Sequence, residues 1–360
     1  MPQTPLHSEH ARLGASFTDF GGWDMPVRYT SDLAEHEAVR TNAGLFDISH
    51  MAEIFVTGEK AADFLDYALV IKSSAITVGK AKYGLICNES GTIIDDLIVY
   101  RLAEDEFLVI ANAGNREPVV KALTERANTF GFDGVSDRSD DFALLAVQGP
   151  NATGLLQKLT ETDLSALPYY SIASGNVDGV SGYFCRTGYT GEDGFEVLVP
   201  ATEAVKVFNS LLNLGIQPCG LASRDTLRLE AGMPLYGHEL NLNVNPFQAG
   251  LGRVVKLDRD EDFVGKKALI EISQQEVSPV LVGLVGTGKR AARAEYGIFK
   301  GENQIGEITS GALSPTLGYP VAMGYVSKEF SELGAVVEAD IRGTRLEMTV
   351  VKLPFYKRSK

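Results

Sequence analysis

Cysteine is scarce in this chain: Cys87, Cys185 and Cys219 are the three in 360 residues, far apart and in no C-x-x-C pair. A disulfide framework or thiolate metal site is therefore not expected, and the three read as reduced structural thiols. Basic residues are also short, with 33 Lys and Arg against 47 Asp and Glu and a formal net charge of −14. A surface of that sign repels phosphate backbones, so nucleic-acid binding by a broad basic face is not expected. An anionic ligand would need a local cluster of Arg or Lys. Long apolar runs are missing too: the longest, at 280–285, is strand-sized and contains Gly283, far below the ~18–20 residues of a membrane span. The N-terminus, Met1-Pro-Gln-Thr-Pro-Leu-His7, has neither the basic-then-apolar order of a secretory signal nor the Arg-rich character of a transit peptide. These absences point to a cytoplasmic protein that binds neither nucleic acid nor membrane. Of the histidines only His7 and His10, three apart in a predicted terminal helix, approach metal-ligand spacing, and a metal site is not expected there.

What is present is an ordinary globular composition, 44% hydrophobic and 22% charged, long enough for two or three domains. Ser31 is placed to cap a helix over 32–40, with Gly44 as its stop signal. Apolar residues at helical spacing predict helices around 61–69, around 119–130 with Pro118 in the first turn, and around 205–212. Strand-like runs lie at 52–56, 92–100, 106–111, 142–147 and 195–199. The stretch 52–140 thus reads strand, helix, strand, strand, helix, an α+β unit inserted in a larger domain. The last roughly 85 residues lose the helical period, and runs at 280–285, 304–310, 322–326 and 346–351 predict a small β-barrel or sandwich.

Three motifs bear on chemistry. Gly283-Leu-Val-Gly-Thr-Gly-Lys-Arg290 approaches a phosphate loop but has Arg290 where the Mg²⁺-binding hydroxyl belongs, so it reads as a strand ending in a glycine-rich turn. Gly91-Thr-Ile-Ile-Asp-Asp-Leu-Ile-Val-Tyr100 puts two carboxylates inside an apolar run, where burial is costly unless they are paired. Because successive strand residues face opposite ways, Asp95 and Asp96 cannot share a proton, and Asp96 shares its face with Tyr100. That face offers an acid beside an aromatic, as a planar ligand with an N–H requires; a strand with one solvated and one backbone-capping Asp fits the local sequence equally. Arg186-Thr-Gly-Tyr-Thr-Gly-Glu-Asp-Gly-Phe-Glu196 carries three glycines at three-residue intervals, more than one hairpin needs. They imply backbone close to a ligand or to another chain segment. Glu196 falls on the face opposite Phe195 and Val197, free to accept N–H bonds from a heterocycle. Arg224 and Arg228 sit four apart on a helix-like stretch, and Arg228 with Glu230 reads as part of a salt-bridged structural helix.

Together these segments resemble the aminomethyltransferase, or T-protein, family of the glycine cleavage system. The resemblance spans nearly the whole chain in order: Thr4-Pro-Leu, Asp19-Phe-Gly-Gly-Trp23-Asp-Met-Pro, Gly44-Leu-Phe-Asp-Ile-Ser-His50-Met51, the 88–100 run, Gln148-Gly-Pro, the 186–196 run, Ser223-Arg-Asp-Thr-Leu-Arg-Leu-Glu-Ala-Gly232, Asn245-Pro-Phe, Gly306-Glu-Ile-Thr-Ser-Gly311 and Pro354-Phe-Tyr. It implies an α+β fold, a three-domain ring around a channel that holds tetrahydrofolate. The first domain would be discontinuous (1–51 plus 141–245), with 52–140 inserted, the folate-binding region running over 1–275, and the C-terminal barrel occupying 276–360.

By the same resemblance Asp96 is the catalytic acid and Tyr83 and Tyr100 lie beside the folate. Glu196 and Arg224 hold the pterin and neighbouring atoms, Met51, Asn112, Tyr169 and Tyr189 line the channel, and Tyr356 is the candidate for a C-terminal aromatic contact. The implied reaction moves the one-carbon unit of an aminomethyl group on lipoylated H-protein to tetrahydrofolate, in functional association with the P- and L-proteins and with no metal. Lys289, Arg290, Arg293, Lys357 and Arg358 are candidates for docking an acidic carrier. Two other readings share the fold. A stand-alone demethylase is the nearer one; the Asp95-Asp96 pair and intact Thr190-Gly-Glu-Asp-Gly194 favour the T-protein. A folate-binding relative that maintains iron–sulfur proteins would carry a cysteine signature where this chain reads Phe263-Val-Gly-Lys-Lys267.

Overall fold

In the computed structural model, which describes residues 1–358, the chain divides into two compact units. The first comprises Met1–Ile86 and Asp96–Arg224; the second comprises Cys87–Asp95 and Asp225–Lys360. No helix among the described residues is long and apolar enough to cross a membrane.

Besides the hairpin Ser16–Phe20 and Trp23–Arg28, the first unit holds a six-stranded sheet and most of a five-stranded one. The six strands run in the order Ile172–Val177, Val180–Cys185, Gly194–Pro200, Phe142–Gln148, Gly44–Asp47 and Gln217–Pro218. All neighbours are antiparallel except the last pair, which is parallel. The central strand Phe142–Gln148 is sealed from Ala143 onward, as expected of a strand covered on both faces. One of its faces packs with Phe195, Val197, Val199 and the helix Ala204–Asn213 in a single apolar core. The other sheet has five strands in the order Ala81–Cys87, Ile93–Ala103, Glu106–Ala111, Ala52–Thr57 and Val135–Asp137. Helices Ala61–Ala68 and Arg116–Phe130 accompany it. The longer helix stops at Gly131, whose φ of 78° closes the last turn in a conformation that favours glycine.

The predicted cap at Ser31 is present: its side chain accepts from the Ala34 N–H (3.1 Å) at the start of Asp32–Thr41. Gly44 is not that helix's stop. The helix ends at Thr41 with Asn42 as its C-cap, and Gly44 opens the next strand. A Cβ there would meet Val39 at 2.4 Å and the Cys219 thiol at 2.7 Å, so the glycine answers to packing and not to a turn.

The second unit contains a closed six-stranded barrel, in the order Val280–Gly286, Pro320–Val326, Asn303–Leu313, Gly297–Lys300, Val336–Ile341 and Thr344–Val351. Its interior is filled by Leu284, Ile298, Ile308, Ala322, Val326, Val337 and Val350 among others. Closure removes the unpaired edges that six short strands would otherwise expose. The glycine-rich turn at 286–290 simply leaves the first barrel strand. All three cysteines are buried and none is in a disulfide.

Candidate functional site

Alternation along Ile93–Ala103 decides the fate of the paired acids. Asp95 is fully buried, while Asp96 is half-buried on the opposite face. Donors to Asp96 come from the strand Ala81–Cys87 and from the residue just after the strand Glu106–Ala111. The Tyr83 hydroxyl donates to Oδ2 (3.0 Å), and Asn112 Nδ2 donates to Oδ1 (2.8 Å) and to the Asp96 carbonyl (3.1 Å). Burial, with the adjacent Asp96 charge, pushes the Tyr83 phenol well above its usual range, so it remains a donor. Each carboxylate oxygen thus accepts from a neutral donor.

Four residues further along that face is Tyr100, 1% exposed. Its hydroxyl lies 2.7 Å from Thr187 Oγ1, which in turn donates to Glu196 Oε2 at 2.6 Å. Glu196 lies directly across the strands from Cys185 and on the face opposite the core residues Phe195 and Val197. Burial raises its pKa above the usual carboxylate range, opposed by the Thr187 hydrogen bond, the Arg224 charge and Tyr100. Arg224 stacks its guanidinium 4.9 Å from the centre of the Tyr189 ring. Its own pKa is lowered by burial and supported by Glu196, and its Nη1 is buried with no hydrogen-bond partner. An unmet donor beside a charged acceptor is expensive in a finished core and ordinary in a site awaiting a polar ligand.

Tyr170 links the two groups. Burial, then the Tyr169, Glu196 and Asp96 groups, raise its phenol pKa. Its backbone φ is 59°, an unusual value for a bulky residue. Its N–H donates to the Arg186 carbonyl (3.0 Å) and its carbonyl accepts from Ala81 (3.0 Å). Tyr169 packs edge-on against it and is 47% exposed. Met51 is half-buried just after His50. His50 is 3% exposed with Nδ1 unpartnered, and burial and the Arg224 charge, against Asp47, lower its pKa to about 4; it is neutral at ordinary pH.

The glycine run lies against other chain segments. Gln148 Nε2 donates to the Thr187 carbonyl (3.1 Å) and its Oε1 accepts from Thr190 (2.9 Å). A Cβ on Gly188 would sit 1.9 Å from that same Oε1. Arg40 clamps the far side through the Thr190 carbonyl (2.7 Å) and Glu192 (2.9 Å). Arg186 pairs with Asp193 through Nε (3.2 Å) and Nη2 (2.7 Å). The helix bearing Arg224 is aimed by Glu35, whose buried carboxylate collects the N–H groups of Tyr29, Thr30 and Gly220 (2.8, 2.9 and 2.8 Å). Gly220 has no room for a side chain, since a Cβ would lie 2.3 Å from the Val27 carbonyl oxygen.

Asp96, Tyr83, Tyr100, Asn112, Glu196, Arg224, Tyr189 and Tyr169 are therefore joined by direct contact or by charge through Tyr170. Thr187, Gln148, Glu35 and Tyr170 were not singled out as functional in the sequence. Arg228 falls in the second unit as a structural residue, as expected, ion-paired to Asp225 (2.8 Å) and Glu239 (2.9 Å) and bonded to Ser310 (2.7 Å). Glu230 accepts from the N–H (3.0 Å) and hydroxyl (2.8 Å) of Thr316. The Tyr356 N–H donates to the Glu230 carbonyl (2.8 Å). Lys289, Arg290, Arg293 and Lys357 are exposed; Lys289 donates to the Gly318 carbonyl (2.9 Å) and Arg293 to that of Gly311 (3.2 Å). Among the described residues no group of three His, Cys, Asp or Glu is arranged to hold a metal ion.

Comparison with known proteins bears on what this arrangement serves. Residues 6–259 match the family described as the GCVT N-terminal domain, and residues 280–357 the glycine cleavage T-protein C-terminal barrel domain. An aminomethyltransferase of Saccharopolyspora erythraea is 52% identical over 362 residues, covering 99% of this chain and 98% of its own length. One from Streptomyces coelicolor is 53% identical over 367 residues, covering 99% of this chain and 98% of its own. The crystal structure of glycine cleavage system aminomethyltransferase T from Bartonella henselae superposes with a TM-score of 0.93 at 38% identity, covering 99% of this chain and 98% of that one.

Proposed function

The chain belongs to the aminomethyltransferase family of the glycine cleavage system, and from that premise we propose that it transfers the one-carbon unit of an aminomethyl group, carried on the lipoyl arm of H-protein, to tetrahydrofolate. The carbon leaves sulfur and nitrogen and ends between the two folate nitrogens. The two protons those nitrogens lose are taken up by the dihydrolipoyl sulfur and the departing ammonia, so the products are 5,10-methylenetetrahydrofolate, ammonia and dihydrolipoyl H-protein.

The observation that carries this reading is the Asp96 carboxylate, clamped by Tyr83 and Asn112 on the face it shares with Tyr100. It accepts a hydrogen bond from a folate nitrogen, orients its lone pair toward the aminomethyl carbon and removes charge as the bond forms. Assistance of this kind is worth roughly 10²–10⁴-fold in rate. Glu196 accepts N–H bonds from the pterin. Arg224, stacked on Tyr189, donates its unmet N–H to a neighbouring acceptor on the same ligand. Met51 and Tyr169 line the space around it.

Single-turnover formation of methylenetetrahydrofolate from aminomethylated H-protein tests the assignment. Asp96→Asn is expected to slow transfer by about 10²–10⁴-fold with folate affinity nearly intact. Equal loss of affinity and rate would remove the catalytic role from Asp96. Tight folate binding by the wild type with no transfer from a lipoyl carrier would favour a demethylase.

A further inference from the structure

Glu196 is held from one side only. Its Oε2 accepts from Thr187 Oγ1 at 2.6 Å, and no hydrogen bond ends on Oε1 among the described residues. A threonine hydroxyl has one proton, and here the carboxylate takes it, so the Tyr100 hydroxyl at 2.7 Å must be the donor to Thr187. The relay therefore runs in one direction, from Tyr100 through Thr187 to Glu196. Thr187 itself is 1% exposed and its backbone is fixed at both ends. Its N–H donates to the Cys185 carbonyl (2.9 Å), and its carbonyl accepts from Gln148 (3.1 Å).

We propose that Thr187 is a positioning residue for ligand recognition: its hydroxyl holds Glu196 Oε2 and keeps the carboxyl group turned so that Oε1 presents to the N–H groups of the bound heterocycle. This rests on the folate reading and names the residue that makes Glu196 a usable acceptor. The groups facing Glu196 are few. Arg224 comes from the helix Leu221–Glu230, the Tyr100 hydroxyl from its strand, the Cys185 thiol from across the sheet, and the Tyr170 phenol from the segment before Ile172. Of these Arg224 alone brings a positive charge, and the Tyr100 hydroxyl favours the carboxylate less than Thr187 does. Burial favours the protonated acid, and the Thr187 hydrogen bond is the largest effect opposing it. Without that hydroxyl the acid holds its proton to higher pH, and a protonated carboxyl makes a poorer acceptor for ligand N–H groups.

The test uses the full chain and 5-formyltetrahydrofolate as probe, with affinity measured across pH for the wild type, Thr187→Val and Thr187→Ser. In the Val variant affinity at the acidic end should fall on the order of tenfold, the worth of one hydrogen bond to a charged acceptor. The midpoint of its pH–affinity curve should move to higher pH, and Ser should restore both. A Val variant weakened by one constant factor at every pH, with its midpoint unmoved, would overturn the proposal, as would curves that coincide with the wild type. Should Val fail to fold, Thr187→Cys replaces it: a weaker donor of similar size places the midpoint above that of the Ser variant, and identical midpoints overturn the proposal. A wild type that binds no folate at any pH removes the folate reading and this inference together. An unchanged variant profile over a wild type that does bind removes the inference alone.

Discussion

Arg224 and Arg228 lie one turn apart on one helix, and the protein treats them in opposite ways. Arg224, in the first unit, rests on the Tyr189 ring and keeps a buried Nη1 without a partner. Arg228, in the second, is 1% exposed and shares its guanidinium among Asp225, Glu239, Ser310 and the Met233 carbonyl. The same contrast extends to the carboxylates. Glu196 spends one oxygen on Thr187, whereas Glu239 accepts from Arg228, the Leu235 N–H and Thr309. Buried polar groups whose bonds are all made fasten a structure together. Those with capacity left over cost stability until something fills it, and that cost marks a binding site.

If this division is right, removing each kind of group should produce a different deficit. The largest loss of stability is expected for Arg228→Met, which leaves Glu239 as an uncompensated buried charge; breaking such a pair costs about 3–5 kcal/mol. Urea unfolding would show it, and Arg228→Met with Glu239→Gln should recover a good part. A single variant as stable as the wild type would abolish the contrast.

His50 supplies the next effect, through pH. Above its ordinary value of 6.5 the imidazole is neutral in both states and makes no difference. As pH falls toward about 4, the unfolded chain takes up a proton that the folded chain refuses, so stability is lost, about 3 kcal/mol in full. Unfolding midpoints measured through that window should decline, and His50→Gln should flatten the decline. A slope that survives the substitution would assign it to other groups.

The smallest change in stability is expected for Arg224→Met, which removes an unmet donor and leaves the hydrophobic stacking on Tyr189. Its cost should appear in binding instead, with folate affinity down roughly 10–100-fold, the range of a charge-assisted hydrogen bond. A large fall in Tm with unchanged affinity would move Arg224 to the fastening class.

How much of this was legible in the sequence depends on range. Period-two alternation correctly separated Asp95 from Asp96 and put Tyr100 and Asp96 on one face, because strand geometry is local. The same rule turned Glu196 away from Phe195 and Val197. The 3.6-residue period located the helices Ala61–Ala68, Arg116–Phe130 and Ala204–Asn213, and its loss after 276 announced the barrel. Thr187 does not stand out within the 186–196 run because its partner Tyr100 is 87 residues away, and no spacing rule reaches that far. Glu35 likewise serves Gly220 from 185 residues away. Tyr170 offered no local signal either, since its positive φ is imposed by bonds to Ala81 and Arg186. Gly44 was misjudged for a related reason: a glycine after a helix reads as a stop, and contact with Val39 and Cys219 is invisible in one dimension.

The sequence by itself determined the periodicities, and with them the strands, the helices, the β-rich character of the C-terminal segment and the faces on which the acids stand, because each follows from backbone geometry within a few residues. Only the tertiary structure decided which polar groups are satisfied. Whether Arg224 or Arg228 has its hydrogen bonds made depends on atoms brought from distant segments, and a buried charge is defined by what surrounds it once the chain has folded.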